Sequence, residues 1–396
     1  MLVVAYEYVI VGCGIAGVTA AKEIRKNDDT GTILLLGDEN RDGYYRIKLT
    51  ELLGEKDPTF PDLNKEGWAK QLGIDEFIGE KVEKIDFESK ILTLKSGKTV
   101  RGNKILLANG SHASAPPFEN KDIPGVFTLR SYDDLLGIQK YLKGKQRVGV
   151  IGGGLLGLEA ARSLKELGKE VAIIHHSDYV LSRQLDRELG LMLNEELKDQ
   201  GYMVYTDKNT SRFLGDDHLE GIEFEDGSVL DLDFVLLSTG VKPNIQLFEG
   251  TGLAIDRGVV VDHSLKTNID GVYAAGDVAQ VDGKVMGIWP ASMSMGRVAG
   301  ANMAGGALRY DNPMLFTRLD MGDIQIFSAG EVGEGDVYFY DDGDIHHRLY
   351  AKDGMITGVI LYGETKNMMK FKKMVEEKAP VDEAISAVYP FTEKKA

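Results

Sequence analysis

Residues 8–17 read YVIVGCGIAG, four apolar residues running straight into three glycines spaced G-x-G-x-x-G. An apolar run without alternation marks a strand buried on both faces, as in a parallel sheet. Gly12, Gly14 and Gly17 then lead into a helix-like stretch, residues 18–26. Each glycine has a task that a side chain would spoil. The first makes a tight turn, the second lets a pyrophosphate approach the backbone, and the third packs helix against strand. The helix N-terminus then faces the phosphates. Ile15 and Ala16, between the glycines, belong to the same cradle.

The device recurs. Residues 147–151 form a second apolar run, and Gly152, Gly154 and Gly157 repeat the spacing, with Leu155 and Leu156 between them. Helix-like residues 158–167 follow, closed by Gly168. One such triplet is a weak signal. Two in the same strand–turn–helix context predict two dinucleotide sites, a tightly held flavin dinucleotide and a transient nicotinamide.

Working outward, 396 residues leave room for two or three domains. No uncharged apolar run approaches 18 residues, so no membrane span is expected. The first residues run straight into a strand, so export is not expected. Cys13 is the sole cysteine, which rules out intrachain disulfides and thiolate metal clusters. A cytoplasmic protein with no metal site is the expectation. A net charge of −16 argues against nucleic-acid binding.

Residues 32–36 read as the second strand, with Asp38 and Glu39 at its end, 21 and 22 residues past Gly17. A carboxylate there can hydrogen-bond a ribose hydroxyl. Residues 44–50, YYRIKLT, form a cationic and aromatic cluster. Short strands are expected over 77–98, and a buried strand over 105–107 ends in Ala108, Asn109 and Gly110. Residues 112–124 carry three prolines and are the best linker candidate. A helix follows over 132–141.

In the second unit the strand 171–174 ends not in an acid but in His175 and His176, where a histidine could meet a 2′-phosphate or serve as a polar edge residue. The strand 235–237 runs into 238–243, STGVKP, with Gly240, and mirrors the strand ending at Gly110. Residues 267–277, TNIDGVYAAGD, give a strand ending in Gly276 and Asp277, at the carboxyl edge where ligands of open α/β sheets collect. Pro290 is expected at the first position of a helix over 291–304, which would favour negative charge on a flavin's pyrimidine edge. Beyond Pro313 short strands alternate over 316–361 and a helix follows over 365–377. His346 and His347 read as exposed polar residues of a hairpin there.

Together these motifs resemble the FAD/NAD(P)H oxidoreductases of the pyridine nucleotide–disulfide reductase superfamily, over residues 6–304. Residues 44–53 (YYRIKLTELL), 182–190 (SRQLDRELG) and the C-terminal part are most similar to the NAD(P)H:rubredoxin oxidoreductase and nitrite reductase flavoprotein branch. The fold class implied is α/β, with two Rossmann-like domains and a small C-terminal α+β domain. Its division would be 1–111 with 241–312 for FAD, 112–240 for NAD(P)H, and 313–396 for the last domain.

The resemblance implies site residues as well. Gly12, Gly14 and Gly17 would hold the FAD pyrophosphate, Asp38 or Glu39 its ribose, and Val82 its adenine through the backbone. Arg46 and Lys48 would lie near the pyrophosphate and flavin, Ala108 and Gly110 (with Asn109) beside the flavin, and Asp277 at the ribityl hydroxyls. Gly152, Gly154 and Gly157 would cradle the pyrophosphate of NADH or NADPH. Glu159 would lie close to flavin and nicotinamide, and Lys48 and Glu159 are the candidates nearest the chemistry. The chain also departs from the superfamily. Residues 38–53 hold no redox cysteine, Ile47 stands where electron-transfer members often have proline, and Met295 where they have glutamine.

The activity implied is electron transfer from NAD(P)H through FAD to an external acceptor, a rubredoxin-like iron protein first. Such acceptors are acidic, so a local basic patch including Lys48 would be needed for docking. An NAD(P)H oxidase and a non-catalytic redox-sensing flavoprotein are the alternatives. A monomer and a homodimer are both compatible with the sequence.

Overall fold

A computed structural model of the chain describes residues 3–55 and 60–393. The chain folds into two compact units. The first draws on Met1–Lys48, Thr59–Ala113 and Gly240–Pro313, and the second on Leu49–Pro58, Ser114–Thr239 and Met314–Ala396.

The first unit is built on the strand Val4–Val11, whose residues 8–11 are buried. It pairs in parallel with Ile33–Gly37 on one side and Thr99–Leu107 on the other. Ile74–Ile78 extends the sheet beyond Ile33–Gly37, again in parallel. Val272–Ala274 joins Thr99–Leu107 in parallel, while Ile91–Leu94 and Val82–Asp86 extend it antiparallel. Residues 8–11 point alternately to the two faces of the sheet and all four are buried, which is why this part of the sequence does not alternate. The strand starts four residues before the expected apolar run: Val4 and Ala5 are exposed and Glu7 partly so, which keeps this end from reading as part of the buried run.

The helix Ile15–Asn27 packs on a second helix, Trp289–Met303. Their approach is close. A Cβ at Gly296 or Gly300 would run into the backbone of Ala16 or Ala20. The second helix starts one residue earlier than expected, so Pro290 occupies its second position; a first-turn N–H has no partner to lose there either. Between the two main chain crossings, Ser111–Ala113 and Val241–Pro243 pair antiparallel.

The second unit repeats the plan with five parallel strands, ordered Met203–Tyr205, Glu170–Ile174, Arg147–Ile151, Phe234–Leu237 and Val126–Thr128. Tyr132–Tyr141 is a helix as expected, fixed at its start by a capping box between Ser131 and Asp134. A small antiparallel sheet (Thr210–Leu214, Gly221–Phe224, Val229–Asp231) covers one end.

The C-terminal part of this unit is an antiparallel six-stranded sheet, with Met368–Glu376 and Val381–Ala387 as its helices. Phe327, Leu349, Ile356, Val359, Leu361 and Phe371 form its core. One expectation fails here: His347 is wholly buried, its Nδ1 accepting the Tyr362 N–H at 3.3 Å. Burial lowers its pKa to about 4. The alternation of the strand Ile345–Lys352 breaks, its last five buried residues running together.

Candidate functional site

The two glycine turns have the same backbone. Gly12 has φ +113° and Gly152 φ +124°, the left-handed side that favours glycine. A Cβ on Gly12 would overlap the Ala108 carbonyl, and one on Gly152 the Ser238 carbonyl. Gly17 and Gly157 sit against the carbonyls of Gly12 and Gly152 with no room for any side chain. The middle glycines differ in kind. Around Gly14 and Gly154 nothing lies within 4 Å of a would-be Cβ. These are the open places in each turn, and the helices that begin there have neither a side-chain cap nor an acid in the first turn. Each turn therefore offers uncapped N–H donors to an anion and open space to hold it, which is the fit a dinucleotide pyrophosphate requires.

Ile15, Ala16 and Leu155, Leu156 are the first residues of these helices. Ala16 is buried, and Leu156 is half exposed. Ala108 and Ser238 directly follow corresponding strands, Thr99–Leu107 and Phe234–Leu237, and each presents its carbonyl to the first glycine of its turn, so the mirrored halves seen in the sequence share a local structure.

Around the first turn the structure gathers a polar ring. Glu39 Oε1 accepts from Arg46 Nη2 at 2.6 Å and Glu39 Oε2 accepts from the Tyr44 hydroxyl at 2.8 Å. Arg46 also stacks its guanidinium 4.9 Å from the Tyr44 ring centre. Asp38, beside it, is exposed. Of the two acids Glu39 is thus the preorganised one. Val82 is buried at the start of its strand, where the register with Ile91–Leu94 shifts. Cys13 packs under Gly37, where an added Cβ would come within 2.6 Å of its Sγ. Burial, reinforced by Glu39 and Asp38, pushes its thiol up to about 12. That is a packing position, and the thiol stays protonated at neutral pH.

Asp277 follows the strand Val272–Ala274 and is clamped by two hydroxyls. Ser292 Oγ donates to Oδ1 at 2.9 Å and Ser111 Oγ to Oδ2 at 3.0 Å. Gly276, at φ +81°, turns the chain, its N–H meeting Met295 Sδ at 3.3 Å. Asn109 and Asn244 exchange amide-to-carbonyl hydrogen bonds at 2.8 and 2.7 Å, and the Asn244 N–H donates to the Gly110 carbonyl at 3.0 Å. Gly110 and Gly240 both take positive φ at the ends of this crossing. Lys48 is half-buried in the turn Arg46–Lys48.

In the second unit Glu159 lies on the helix Leu155–Glu166, where Oε2 accepts from Thr50 Oγ1 at 3.2 Å. His175 differs from expectation. It is turned inward, its Nδ1 accepting the Gly153 N–H at 3.2 Å, and burial lowers its pKa to about 4. It is a neutral brace of the glycine turn and has no charge for a phosphate near neutral pH. His176 is exposed.

Sequence reasoning missed Asn244, Ser111, Ser292, Thr50 and Gly153. Thr50 closes the cluster 44–50 picked out in the sequence, and Gly153 is the extra glycine of GGG: a Cβ there would come 2.8 Å from Val180 Cγ1. Among the described residues no cluster of three or more His, Cys, Asp or Glu is placed to hold a metal, and no helix is long and apolar enough to cross a membrane.

Comparison with known proteins bears on the family and the fold. Residues 6–296 match the pyridine nucleotide-disulphide oxidoreductase family, and residues 316–379 match the rubredoxin NAD+ reductase C-terminal domain. The nitrite reductase [NAD(P)H] of Bacillus subtilis is 31% identical over 98% of this chain and 49% of its own length, so the chain spans about half of that relative. The NADH-rubredoxin oxidoreductase of Clostridium acetobutylicum is 31% identical over 95% of this chain and 96% of its own. The crystal structure of NADH:rubredoxin oxidoreductase from C. acetobutylicum superposes with a TM-score of 0.82, at 29% identity, covering 97% of this chain and 98% of the other. With paired glycine turns, each following a strand flanked in parallel on both sides, and a family match over most of its length, the chain belongs to the pyridine nucleotide-disulphide oxidoreductases.

Proposed function

We propose that this chain is an FAD-dependent NAD(P)H oxidoreductase that passes electrons to a small iron protein of the rubredoxin kind. The observation that carries this reading is the pair of matching glycine turns, each open only at its middle glycine. The relatives named above support the same activity. FAD, when bound, supplies a ring that accepts two electrons as hydride and releases them singly.

The chain's own residues bind and orient. The turn at Gly12, Gly14 and Gly17 would take the FAD pyrophosphate on the N–H groups opening Ile15–Asn27. Glu39, held by Tyr44 and Arg46, presents acceptor oxygens for a ribose hydroxyl. Asp277, held by Ser111 and Ser292, would do the same for the ribityl chain, and Val82 would offer its backbone to adenine. Ala108, Asn109 and Gly110 would flank the ring. The turn at Gly152, Gly154 and Gly157 would take the NAD(P)H pyrophosphate, with His176 the residue open to the adenosine ribose. Lys48 and Glu159 remain the candidates beside the reacting rings, and Thr50 orients the Glu159 carboxylate.

With one cysteine in the sequence, protonated and packed, no dithiol carries electrons onward. Onward transfer would have to run directly from the bound flavin to the external acceptor, with this chain only holding and orienting the two. Catalysis on this account is alignment and electrostatics rather than strong acid–base chemistry. The test is stopped-flow flavin reduction by NADH followed by mixing with rubredoxin or oxygen. Reoxidation by rubredoxin at least ~100-fold faster than by oxygen is expected; comparable rates would favour an oxidase and defeat the proposal.

A further inference from the structure

Segment 175–186 joins the strand Glu170–Ile174 to the helix Arg187–Asp199, and it is held from three sides within the second unit. The glycine turn holds it first: the Leu181 N–H donates to the Gly153 carbonyl at 2.8 Å, while Gly153 N–H donates to His175. Leu181 is buried at φ +53°, a conformation that a leucine keeps only when its surroundings impose it. The helix holds it second. Asn194, itself buried, accepts the Val180 N–H at 3.2 Å and donates to the Asp178 carbonyl at 3.0 Å.

The third hold comes from the C-terminal sheet. Ser328 Oγ donates to the Gln184 carbonyl at 2.6 Å. The Tyr350 hydroxyl donates to Asp186 Oδ2 at 2.6 Å, while Asp186 Oδ1 accepts the Leu189 N–H and caps the helix. Arg348 lies buried alongside, 4.0 Å from Asp186 and 3.5 Å from Glu188, with Asp341 at 2.7 Å. This accounts for the motif SRQLDRELG, which the dinucleotide chemistry leaves unused. Its Gln184 and Asp186 are the points where the sheet grips.

The same segment exposes His176 and Arg183, where a coenzyme ribose on the second turn would be read. We infer that Ser328 and Tyr350 are positioning residues for the coenzyme site. Through Gln184 and Asp186 they fix the segment whose Leu181 amide is anchored to the glycine turn at Gly153. The sheet needs no contact with the nucleotide. Releasing its two hydroxyl grips leaves the segment more conformations, and apparent affinity falls by the fraction of time it is competent. The inference rests on the second turn being the nicotinamide-coenzyme site.

The test uses the full-length flavin-loaded enzyme with NADH as donor and ferricyanide as acceptor. Ser328→Ala combined with Tyr350→Phe should raise KM for NADH about tenfold, with kcat within about twofold and flavin content unchanged. Ser328→Thr, which keeps the hydroxyl, should recover most of its share. Gly154→Val serves as the reference for the underlying reading and should raise KM beyond ~100-fold. A double variant within twofold of wild type, alongside a crippled Gly154→Val, overturns this inference and leaves the coenzyme site standing. So does a loss confined to kcat or to thermal stability. A Gly154→Val enzyme with normal KM overturns both.

Discussion

The two glycine turns share one backbone and differ in what surrounds them. At the first, a carboxylate held by Tyr44 and Arg46 stands after the second strand, and a hydroxyl-clamped Asp277 and a tightly packed second helix complete the setting. At the second, the corresponding strand ends in a neutral, inward-turned His175 and an exposed His176. The cradle alone therefore does not decide how long a dinucleotide stays. A ring of fixed acceptors suits a resident cofactor, and a sparse rim suits one that must leave after each turnover.

The largest way to break the comparison is to deny both turns their third glycine. Gly17→Val and Gly157→Val each drive a side chain into a backbone carbonyl that cannot retreat. Each should cost ~3 kcal/mol or more of stability by chemical denaturation. If one is tolerated and the other is not, the turns are not equivalent.

Acid should separate the units next. His175 and His347, both in the second unit, are held near pKa 4 chiefly by burial. Between about pH 6.5 and 4 the unfolded chain binds protons that the folded one refuses, so their contribution is lost as pH falls. Glu76, in the first unit, has the opposite sign. Burial, then Asp42, raises it to about 7, so the folded state binds the extra proton and gains stability as pH falls from 7 toward 4.5. Amide exchange at pH 7 and pH 5 should show protection falling in the second unit relative to the first. A uniform change would contradict this.

A smaller effect is expected at the rim of the second turn. His176→Arg places a fixed charge where a 2′-phosphate would come and should shift kcat/KM toward NADPH by about tenfold. In the wild-type enzyme the NADH-to-NADPH ratio should not change on account of His175 between pH 6 and 8, because that ring is already neutral. The smallest effect is at Cys13. Replacement by alanine should leave flavin reduction and acceptor turnover within about threefold, since the thiol only fills space under Gly37.

Much of this arrangement is legible in the chain because glycine spacing and apolar runs are local signals. Gly12, Gly17, Gly152 and Gly157 are demanded by contacts within a few residues or with the adjoining strand. Asp277 could be picked out because its strand and turn announce the carboxyl edge of a sheet. What stayed hidden depends on distant chain. Asn244 acts through Asn109, 135 residues away, and Ser111 meets Asp277 across 166. His347 looked like a hairpin residue because a two-sided buried strand in an antiparallel sheet breaks the alternation used to judge exposure. His175 was misjudged for a related reason, since nothing local says that Gly153 would donate to it.

The central claim is that the two turns hold two different dinucleotides, and Gly14→Val against Gly154→Val tests it most directly. Beyond the adjoining residues nothing lies within 4 Å of a Cβ built at either glycine, so a side chain there is expected to obstruct a bound ligand before it disturbs the fold. The measurement is flavin per purified chain, together with the single-turnover rate of flavin reduction by NADH. Gly14→Val should lose its flavin and keep its fold, whereas Gly154→Val should keep about one flavin per chain and be reduced at least ~100-fold more slowly at limiting NADH. Full flavin occupancy in Gly14→Val, or undiminished reduction in Gly154→Val, would contradict it.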